Sequence, residues 1–470
     1  MVVAVEHIFR SRLSTAVLLL ALLGFCMVES LGQVARWDLL DQLSMADNLV
    51  RGGSFYPSVS SNTPFGVSVY FPGVAALSAV IEHLGIEYYA TEVLLLLSCL
   101  IFLMFLCLLS ITVRNLFEQH VTTFDFLIVS IIYIFLFCPI YLRYALEFKP
   151  DTIAFCAGLA ALWIGNFWRA DTPAYRSILG GLMFGAALIF KQQFAGFLMG
   201  SALFAVYRPH SQKTLFNICA GIAAFGVIAL VHSSRDAWYW TVTVLADDGF
   251  SLDGIASVSG LAKAALVLVA FAFFLYRARS IPESGLDPRR LLENPWTWLA
   301  APAFLFAMLS AVKVGGGIGN IQLGLMFLLP YFFVISRAVD RRILLALALI
   351  ASLYHFRTLP AAIAAYNDAV ALKRAVEAQP LPPNGGVLTG SDVYYATRAL
   401  AGDAAITNYW TMALKDNVAV DDKLRDYVAR ADPDLIVVEN WPQNEAWLKS
   451  SGEFQLVWKN GLGLVARRAR

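Results

Sequence analysis

Three aspartates follow the first long apolar run of this sequence. Asp38 and Asp41 are three residues apart, which places them on one helical face, and Asp47 follows six residues later. A carboxylate beside a membrane face is costly unless it meets water, a partner or a substrate, and it can accept a proton or bind a cation. The stretch Arg36–Gly73 is therefore predicted to form an active site. Asp38 is its first candidate and Asp41 its second, with a helix N-cap or a solvated face as the alternative for Asp41. Asp47 is expected to face water.

A second charged segment, RYALEFKPD, follows a later apolar run and contains Arg143, Glu147, Lys149 and Asp151. Asp151 follows a proline and precedes another apolar run, so it is predicted to cap a helix beginning at Thr152. That structural role is compatible with binding an acceptor or a metal ion. Glu147 and Lys149 are expected to pair with each other on the surface.

Two lysines have the surroundings of phosphate ligands. Lys191 lies between two short apolar runs, where a positive charge costs about 2.5–3.5 kcal/mol at mid-bilayer depth and less near the interface. An anionic lipid phosphate would offset that cost, and the alternative is a cation at a helix C-terminus. Lys313 precedes three glycines, which would let the backbone approach a phosphate closely. Its alternative is a flexible loop end.

The elements that position these residues are mostly membrane helices. Of the 470 residues, 59% are hydrophobic and 15% are charged, and the mean hydropathy is +0.64. Apolar runs of about 15–23 residues predict a polytopic all-α membrane domain, whose first run is a retained signal anchor. The six cysteines and six histidines have neither metal-ligand nor disulfide spacing, which argues against a structural zinc site.

The distribution of positive charge orients these runs. Arg10 and Arg12 place the N-terminus in the cytoplasm, and the run 65–84, interrupted by Pro72 and Gly73, is predicted to lie at the outer face without crossing. About eleven spans result, and the C-terminal part is outside. The spans after the first are predicted near 91–113, 124–143, 152–167, 177–190, 194–208, 214–232, 260–277, 296–313, 321–337 and 342–358.

The last part of the chain has a different pattern. Short strand-like runs at 386–391, 434–440, 454–460 and 463–467 alternate with helix-like stretches near 393–401 and 422–431. This alternation predicts a small extracytoplasmic α/β domain, without a glycine-rich nucleotide fingerprint. We therefore divide the chain into a membrane domain, 1–358, and a C-terminal domain, 359–470.

Five segments occur in an order that resembles the GT-C superfamily of membrane glycosyltransferases, and most of all its bacterial aminoarabinose and protein-mannose transferase branch. They are DNLVRGG at 47–53, YFPG at 70–73, RYALEFKPD at 143–151, GGLMFGAALIFKQQF at 180–194 and KVGGGIGN at 313–320. The resemblance extends over about 360 residues, and the C-terminal domain adds little to it.

The resemblance implies an inverting hexosyl- or pentosyltransferase that moves a sugar from a polyprenyl-phosphate donor to a hydroxyl of a glycan, lipid or protein outside the cytoplasm. Asp38 corresponds to the acid that acts as general base. The resemblance further implies a multi-pass protein of the bacterial inner (plasma) membrane, in contact with membrane lipid and without a nucleic-acid partner.

Two ways of stabilising the departing phosphate remain open. Some members of the superfamily use a divalent cation, Mg²⁺ or Mn²⁺, which Asp38 and Asp151 could hold here. Others use basic side chains, and this chain offers Arg143, Lys149, Lys191 and Lys313, which we favour.

Two other classes of function are open to a chain of this composition. A transporter or flippase without transferase activity predicts internal repeats and acidic residues in the middle of spans. The sequence has no convincing twofold repeat, and its acids lie in loops. A non-catalytic protein that binds lipid carriers is the third possibility.

Overall fold

The computed structural model describes residues 12–34, 37–50, 53–56, 71–84, 89–117, 122–239, 241, 288–311, 318–337, 339–382, 385–390, 392–400, 404–408, 428–429 and 431–469. Most of the described residues before 380 are helical. These helices are α1 Arg12–Leu31, α2 Trp37–Val50, α3 Gly73–His83, α4 Ala90–Leu116, α5 Thr123–Phe137, α6 Pro139–Leu146, α7 Pro150–Gly165, α8 Ala174–Ala186, α9 Ala195–Tyr207, α10 Ser211–Val231, α11 Arg235–Trp238, α12 Pro288–Glu293, α13 Pro295–Ala311, α14 Ile318–Met326, α15 Leu329–Ser336, α16 Arg341–Phe356 and α17 Leu359–Glu377.

Each predicted span that falls on described residues coincides with one helix or with a bent pair of helices. Among the described residues, four stretches are long and apolar enough to cross a membrane, and the number rises to six if each bent pair forms one span. The total of eleven stays a prediction, and the span at 260–277 lies outside the described residues. Helix α3, predicted to lie at the membrane face, has 11 residues. At 1.5 Å per residue it is about 16 Å long, too short for a core of about 30 Å.

The predicted span 124–143 is not one straight helix. The chain bends by 105° between α5 and α6, where Pro139 begins the second helix and cannot continue the hydrogen bonding of the first. The bend leaves backbone N–H groups without helical acceptors. Gln322 Oε1 accepts from the N–H groups of Ile140 and Tyr141, both at 2.8 Å. The bend is therefore stabilised by a side chain from α14.

Hydrogen bonds between helices identify one end of the bundle, which we call the loop end. Ser30, in the last turn of α1, donates to the carbonyl of Leu146 at 2.7 Å, and Ser98 of α4 donates to the same carbonyl at 2.9 Å. The end of α1 and the turn before α7 therefore lie side by side.

The opposite end of the bundle carries two ion pairs with arginines, one exposed and one half-buried. Arg208 pairs with Glu293 at 2.7 Å, and Arg341 pairs with Asp125 at 3.0 Å. Because basic residues are concentrated in cytoplasmic loops, this end is the predicted cytoplasmic one.

Beyond α17 the described chain forms a five-stranded sheet with three short helical elements. The strands are β1 Gly385–Thr389, β2 Ala404–Asn408, β3 Leu435–Glu439, β4 Phe454–Lys459 and β5 Gly463–Arg468, in the order β2-β1-β3-β5-β4. The helical elements are α18 Tyr394–Thr397, a 3₁₀ turn Arg398–Leu400 and α19 Pro442–Ser451. Strand β1 is parallel to β2 and β3, whereas β5 is antiparallel to β3 and β4. All five residues of β3 are buried, as expected for an apolar central strand.

This α/β unit, with α17, packs against the loop end. An added Cβ at Gly32 would lie 2.7 Å from the Cα of Ala362 in α17, so a side chain at position 32 would separate α1 from α17. The α/β unit was predicted, and its strand β2 was missed because AAITN is short and weakly apolar. The predicted helix at 422–431 lies mostly outside the described residues.

Candidate functional site

Asp151 lies in the first turn of α7, at the loop end. The helix begins at Pro150, so the prediction that Asp151 caps a helix beginning at Thr152 is wrong. Proline suits the first helical position because its missing N–H would have no helical acceptor there. A carboxylate in this turn interacts favourably with the positive end of the helix dipole. Asp151 is 9% exposed, and its carboxylate is turned into the protein.

The partner of Asp151 is Lys191. The Lys191 Nζ atom lies 3.3 Å from the Asp151 Oδ2 atom, and the two side chains are 3% and 12% exposed. Lys191 lies between two 3₁₀ turns, Ala187–Ile189 and Gln192–Phe194, in an extended conformation with φ −154°. The break between α8 and α9 thus directs the lysine into the protein.

The second oxygen of Asp151 is buried and has no hydrogen-bond partner among the described residues. Such atoms are rare because each costs about 1–3 kcal/mol. A small cavity of about 10 Å³ adjoins it, close to the space that one water molecule needs. The polar residues that line this cavity are Tyr141, Tyr144, Lys149, Asp151, Thr152 and Asn320. The carboxylate can therefore accept one further hydrogen bond from a water or a ligand.

The turn between α6 and α7 forms another wall of the site. The side chain of Phe148 is buried. Its backbone lies in the left-handed region with φ 58°, a strained conformation that a bulky residue rarely adopts and that turns the chain sharply here. Lys149 lies 3.8 Å from Glu147 and 3.5 Å from the centre of the Tyr144 ring. The predicted Glu147–Lys149 pair exists, but it is not on the surface, because these side chains are 5% and 12% exposed.

Arg143 is exposed at the edge of this site, on α6. Nearby, an added Cβ at Gly319 would overlap the ring of Tyr144, so the start of α14 packs directly on the ring beside Lys149. The other predicted phosphate ligand, Lys313, lies outside the described residues.

Asp38 and Asp41 lie in the first half of α2, and the structure describes only their backbone. Because the helix begins at Trp37, Asp41 is inside it and is not its N-cap. Helix α2 packs on α3. The first residue of α3 is Gly73, and a Cβ added to it would lie 2.8 Å from the carbonyl oxygen of Ile189, so the two backbones are in close contact. Helix α3 therefore contacts both α2 and the 3₁₀ turn Ala187–Ile189, which precedes Lys191.

The prediction that Asp47 faces water is wrong. Asp47 is buried, and it accepts two hydrogen bonds from Arg398, at 2.7 and 2.8 Å, and one from the Tyr394 hydroxyl at 2.6 Å. Arg398 also pairs with Glu82 of α3 at 2.7 Å. Burial alone would raise the pKa of Asp47, but the charge and hydrogen bonds of Arg398 bring that pKa below its ordinary value.

The sequence analysis missed Glu82, Tyr394 and Arg398. Glu82 carried a signal, since an acid within the apolar stretch GVAALSAVIEH is costly without a partner. Arg398 carried none, because its partner Asp47 is 351 positions away in the chain.

The described residues do not supply a good site for Mg²⁺ or Mn²⁺. These ions prefer several oxygen ligands, and among the described residues no three acidic, histidine or cysteine side chains come together for a metal. Asp151 shares one oxygen with the Lys191 cation, and Glu147 is paired with Lys149. A site that already contains two lysine cations suits an anion such as a phosphate better than a metal cation.

Comparison with known proteins shows the fold. No protein-family model and no curated protein matches the chain. Among solved structures, ArnT from Cupriavidus metallidurans bound to undecaprenyl phosphate matches with a TM-score of 0.57 and 11% sequence identity, over 97% of this chain and 98% of that one. Its apo form matches with a TM-score of 0.57 and 12% identity, over 96% and 97% of the two chains.

An oligosaccharyltransferase from Archaeoglobus fulgidus matches with a TM-score of 0.47 and 13% identity, over 90% of this chain and 69% of that one. The fold implied by the resemblance is confirmed, because this chain shares the fold of ArnT over nearly the whole length of both chains.

Proposed function

We propose that this chain is an integral membrane glycosyltransferase that moves a sugar from a polyprenyl-phosphate donor to an acceptor hydroxyl outside the cytoplasm. The observation that carries the proposal is the buried Asp151–Lys191 pair at the loop end of an ArnT-like fold. Such a pair is expensive to maintain for stability alone, since desolvation offsets much of the attraction. A site that binds an anionic group and a hydroxyl would account for it.

Asp38 is the proposed general base, with Asp41 in reserve. In its ionised form it would take the proton from the acceptor hydroxyl while that oxygen attacks the anomeric carbon. The bond from this carbon to the donor phosphate then breaks, and the phosphate leaves with the bonding electrons. Attack opposite the leaving group inverts the configuration of the sugar.

Lys191 is the proposed main ligand of the departing phosphate, with Lys149, Lys313 and Arg143 as further cationic groups. When the lipid phosphate approaches, the lysine would be shared between this anion and Asp151. Asp151 and Glu147 are proposed to orient the acceptor and the lysines. Helices shorter than a full span on both sides of Lys191 would let the polyprenyl chain lie in the membrane while its phosphate reaches the site.

The test is transfer of labelled sugar from an undecaprenyl-phosphate donor by the purified protein in vesicles. The double variant Lys191→Met/Asp151→Asn, which leaves no buried charge unpaired, is expected to reduce transfer by about two orders of magnitude, the usual effect of removing one donor to a developing anion. Lys213→Met, at the opposite end of the bundle, is the matched control. Donor-independent movement of solute across the vesicle membrane, with no glycosyl product, would favour a transporter instead.

A further inference from the structure

One guanidinium of the C-terminal domain joins two helices of the loop end. Arg398 donates through Nε and Nη2 to both oxygens of Asp47 on α2, and the same Nη2 reaches Glu82 of α3 at 2.7 Å. The three side chains are at most 9% exposed. The hydroxyl of Tyr394, from the same domain, completes the cluster.

Asp47 and Glu82 can both stay ionised at this short separation only because Arg398 neutralises their repulsion. Asp47 and Glu82 both accept from the Nη2 atom of Arg398, so their carboxylates lie close together, and without this cation they would repel or one would have to take up a proton. Among described residues, the arginine that meets both belongs to the C-terminal domain. Contact between α2 and α3 is thus coupled to the docking of that domain.

Helix α2 transmits this contact to the proposed base. Asp47 and Asp38 are nine residues apart on one continuous helix, which is about 13.5 Å or two and a half turns. Fixing Asp47 therefore fixes the height and rotation of the helix at Asp38. Helix α3 at the same time contacts the carbonyl of Ile189, two residues before Lys191.

We propose that Arg398 is a positioning residue, through which the C-terminal domain completes the active site by holding α2 and α3 in their catalytic arrangement. The inference rests on the proposed function for its effect on catalysis. Among the described side chains, Arg398 pairs with Asp47 and Glu82, neither of which is proposed to react with the sugar. Its bidentate geometry with Asp47 fixes an angle as well as a distance, which a lysine at this position could not do.

Amide hydrogen exchange tests the positioning without any enzymatic assay. In the full-length protein, Arg398→Met is expected to speed exchange in segments 37–50 and 73–83 by about tenfold or more, because their buried contact is lost. Arg468→Met is the matched control, since Arg468 belongs to the same domain and forms its ion pair with the exposed Asp432. Unchanged exchange in both segments of Arg398→Met would overturn the proposal.

Kinetics test the consequence for catalysis. Arg398→Met is expected to lower kcat by about 10- to 100-fold, as a misplacement of about 1 Å does, while the KM for the donor stays within about threefold. Arg398→Lys keeps a positive charge between the two carboxylates, so it should fold even if Arg398→Met does not. Its exchange rates and kcat should lie between those of wild type and Arg398→Met. Added guanidinium should restore part of the kcat of Arg398→Ala. An Arg398→Lys protein equal to wild type in exchange and kcat would overturn the proposed role of the bidentate contact.

The two readouts separate the two proposals. If Arg398→Met speeds exchange but the wild-type protein transfers no sugar, the positioning stands and the proposed function fails. If wild-type transfer is robust and Arg398→Met alters neither exchange nor kcat, the proposed function stands and the positioning is wrong.

Discussion

Lys191 and Asp151 show at the scale of single residues how this chain concentrates charge in an apolar protein. The two side chains form an ion pair at 3.3 Å, and the break between α8 and α9 directs the lysine inward. Burying one such charge alone would cost several kcal/mol. The pair is therefore a unit, and its members should not be replaceable singly.

Substitution of the pair tests this. Lys191→Met should destabilise the protein by about 3–5 kcal/mol, because it leaves Asp151 buried and unpaired. The double variant Lys191→Met/Asp151→Asn should regain most of the thermal stability while remaining inactive in sugar transfer. Thermal unfolding in detergent and the transfer assay measure the two effects. A double variant that is stable and active would show that the pair has only a structural role.

Gly319 offers a second test at this scale. Any Cβ at this position overlaps the Tyr144 ring, which covers Lys149. Gly319→Ala should move the ring and lower transfer activity severalfold, with a small loss of stability because a ring can shift. Gly221→Ala is the control, since an added Cβ there meets nothing within 4 Å. Equal activity of the two variants in the transfer assay would exclude a role for the Tyr144–Lys149 contact.

The sequence was sufficient to select Asp151 and Lys191 as candidates, but not to pair them. Composition and position beside apolar runs indicate that a charge is costly, whereas its partner depends on which helices pack together. The same limit explains the error at Asp47, whose partner Arg398 comes from another domain. Asn48 beside it suggested water, and no local pattern indicated otherwise.

At the scale of elements, the 105° bend between α5 and α6 brings the segment from Arg143 to Asp151 to the loop end. Hydropathy predicted one span here, because both α5 and α6 are apolar and hydropathy contains no information on the angle between two helices. Pro139 begins the second helix at the break, but the angle of the bend depends on Gln322 of α14, which accepts from the two freed N–H groups.

Removing this acceptor should therefore weaken the bend. Gln322→Met keeps the size of the side chain but leaves the buried N–H of Tyr141 unsatisfied, at a cost of about 1–3 kcal/mol, together with the partly buried N–H of Ile140, which costs less. Gln322→Glu keeps an acceptor at a helix N-terminus, where a negative charge is favourable. The melting temperature should fall clearly for Met and much less for Glu. The reverse order would contradict this account of the bend.

At the scale of the whole molecule, the candidate site and the C-terminal domain lie at one end of the bundle and the arginine ion pairs at the other. If the positive-inside rule is applied to this arrangement, it predicts that the candidate site faces away from the cytoplasm. Periodicity and hydropathy were enough to predict a helical membrane region followed by an α/β unit. They could not predict how that unit docks, because docking depends on side chains far apart in the chain.

The docking should depend on pH in one direction. The pKa of Asp47 in the folded protein is lowered, so its ion pair stabilises docking above the ordinary pKa of about 3.9 and loses that contribution as pH falls through the lowered value. Hydrogen exchange in segment 37–50 should thus stay constant from about pH 8 to pH 5, after correction for the intrinsic rate. Loss of protection already near pH 6 would contradict the assignment of this contact to Asp47.

The central claim is that Asp38 acts as general base in sugar transfer at the loop end. It is tested most directly by the rate at which purified Asp38→Asn protein transfers labelled sugar from an undecaprenyl-phosphate donor, beside wild type and Gly221→Ala. We predict a loss of at least about a hundredfold for Asp38→Asn, with unchanged membrane insertion and melting temperature, and near-normal transfer by Gly221→Ala. Near-normal transfer by Asp38→Asn would contradict the account.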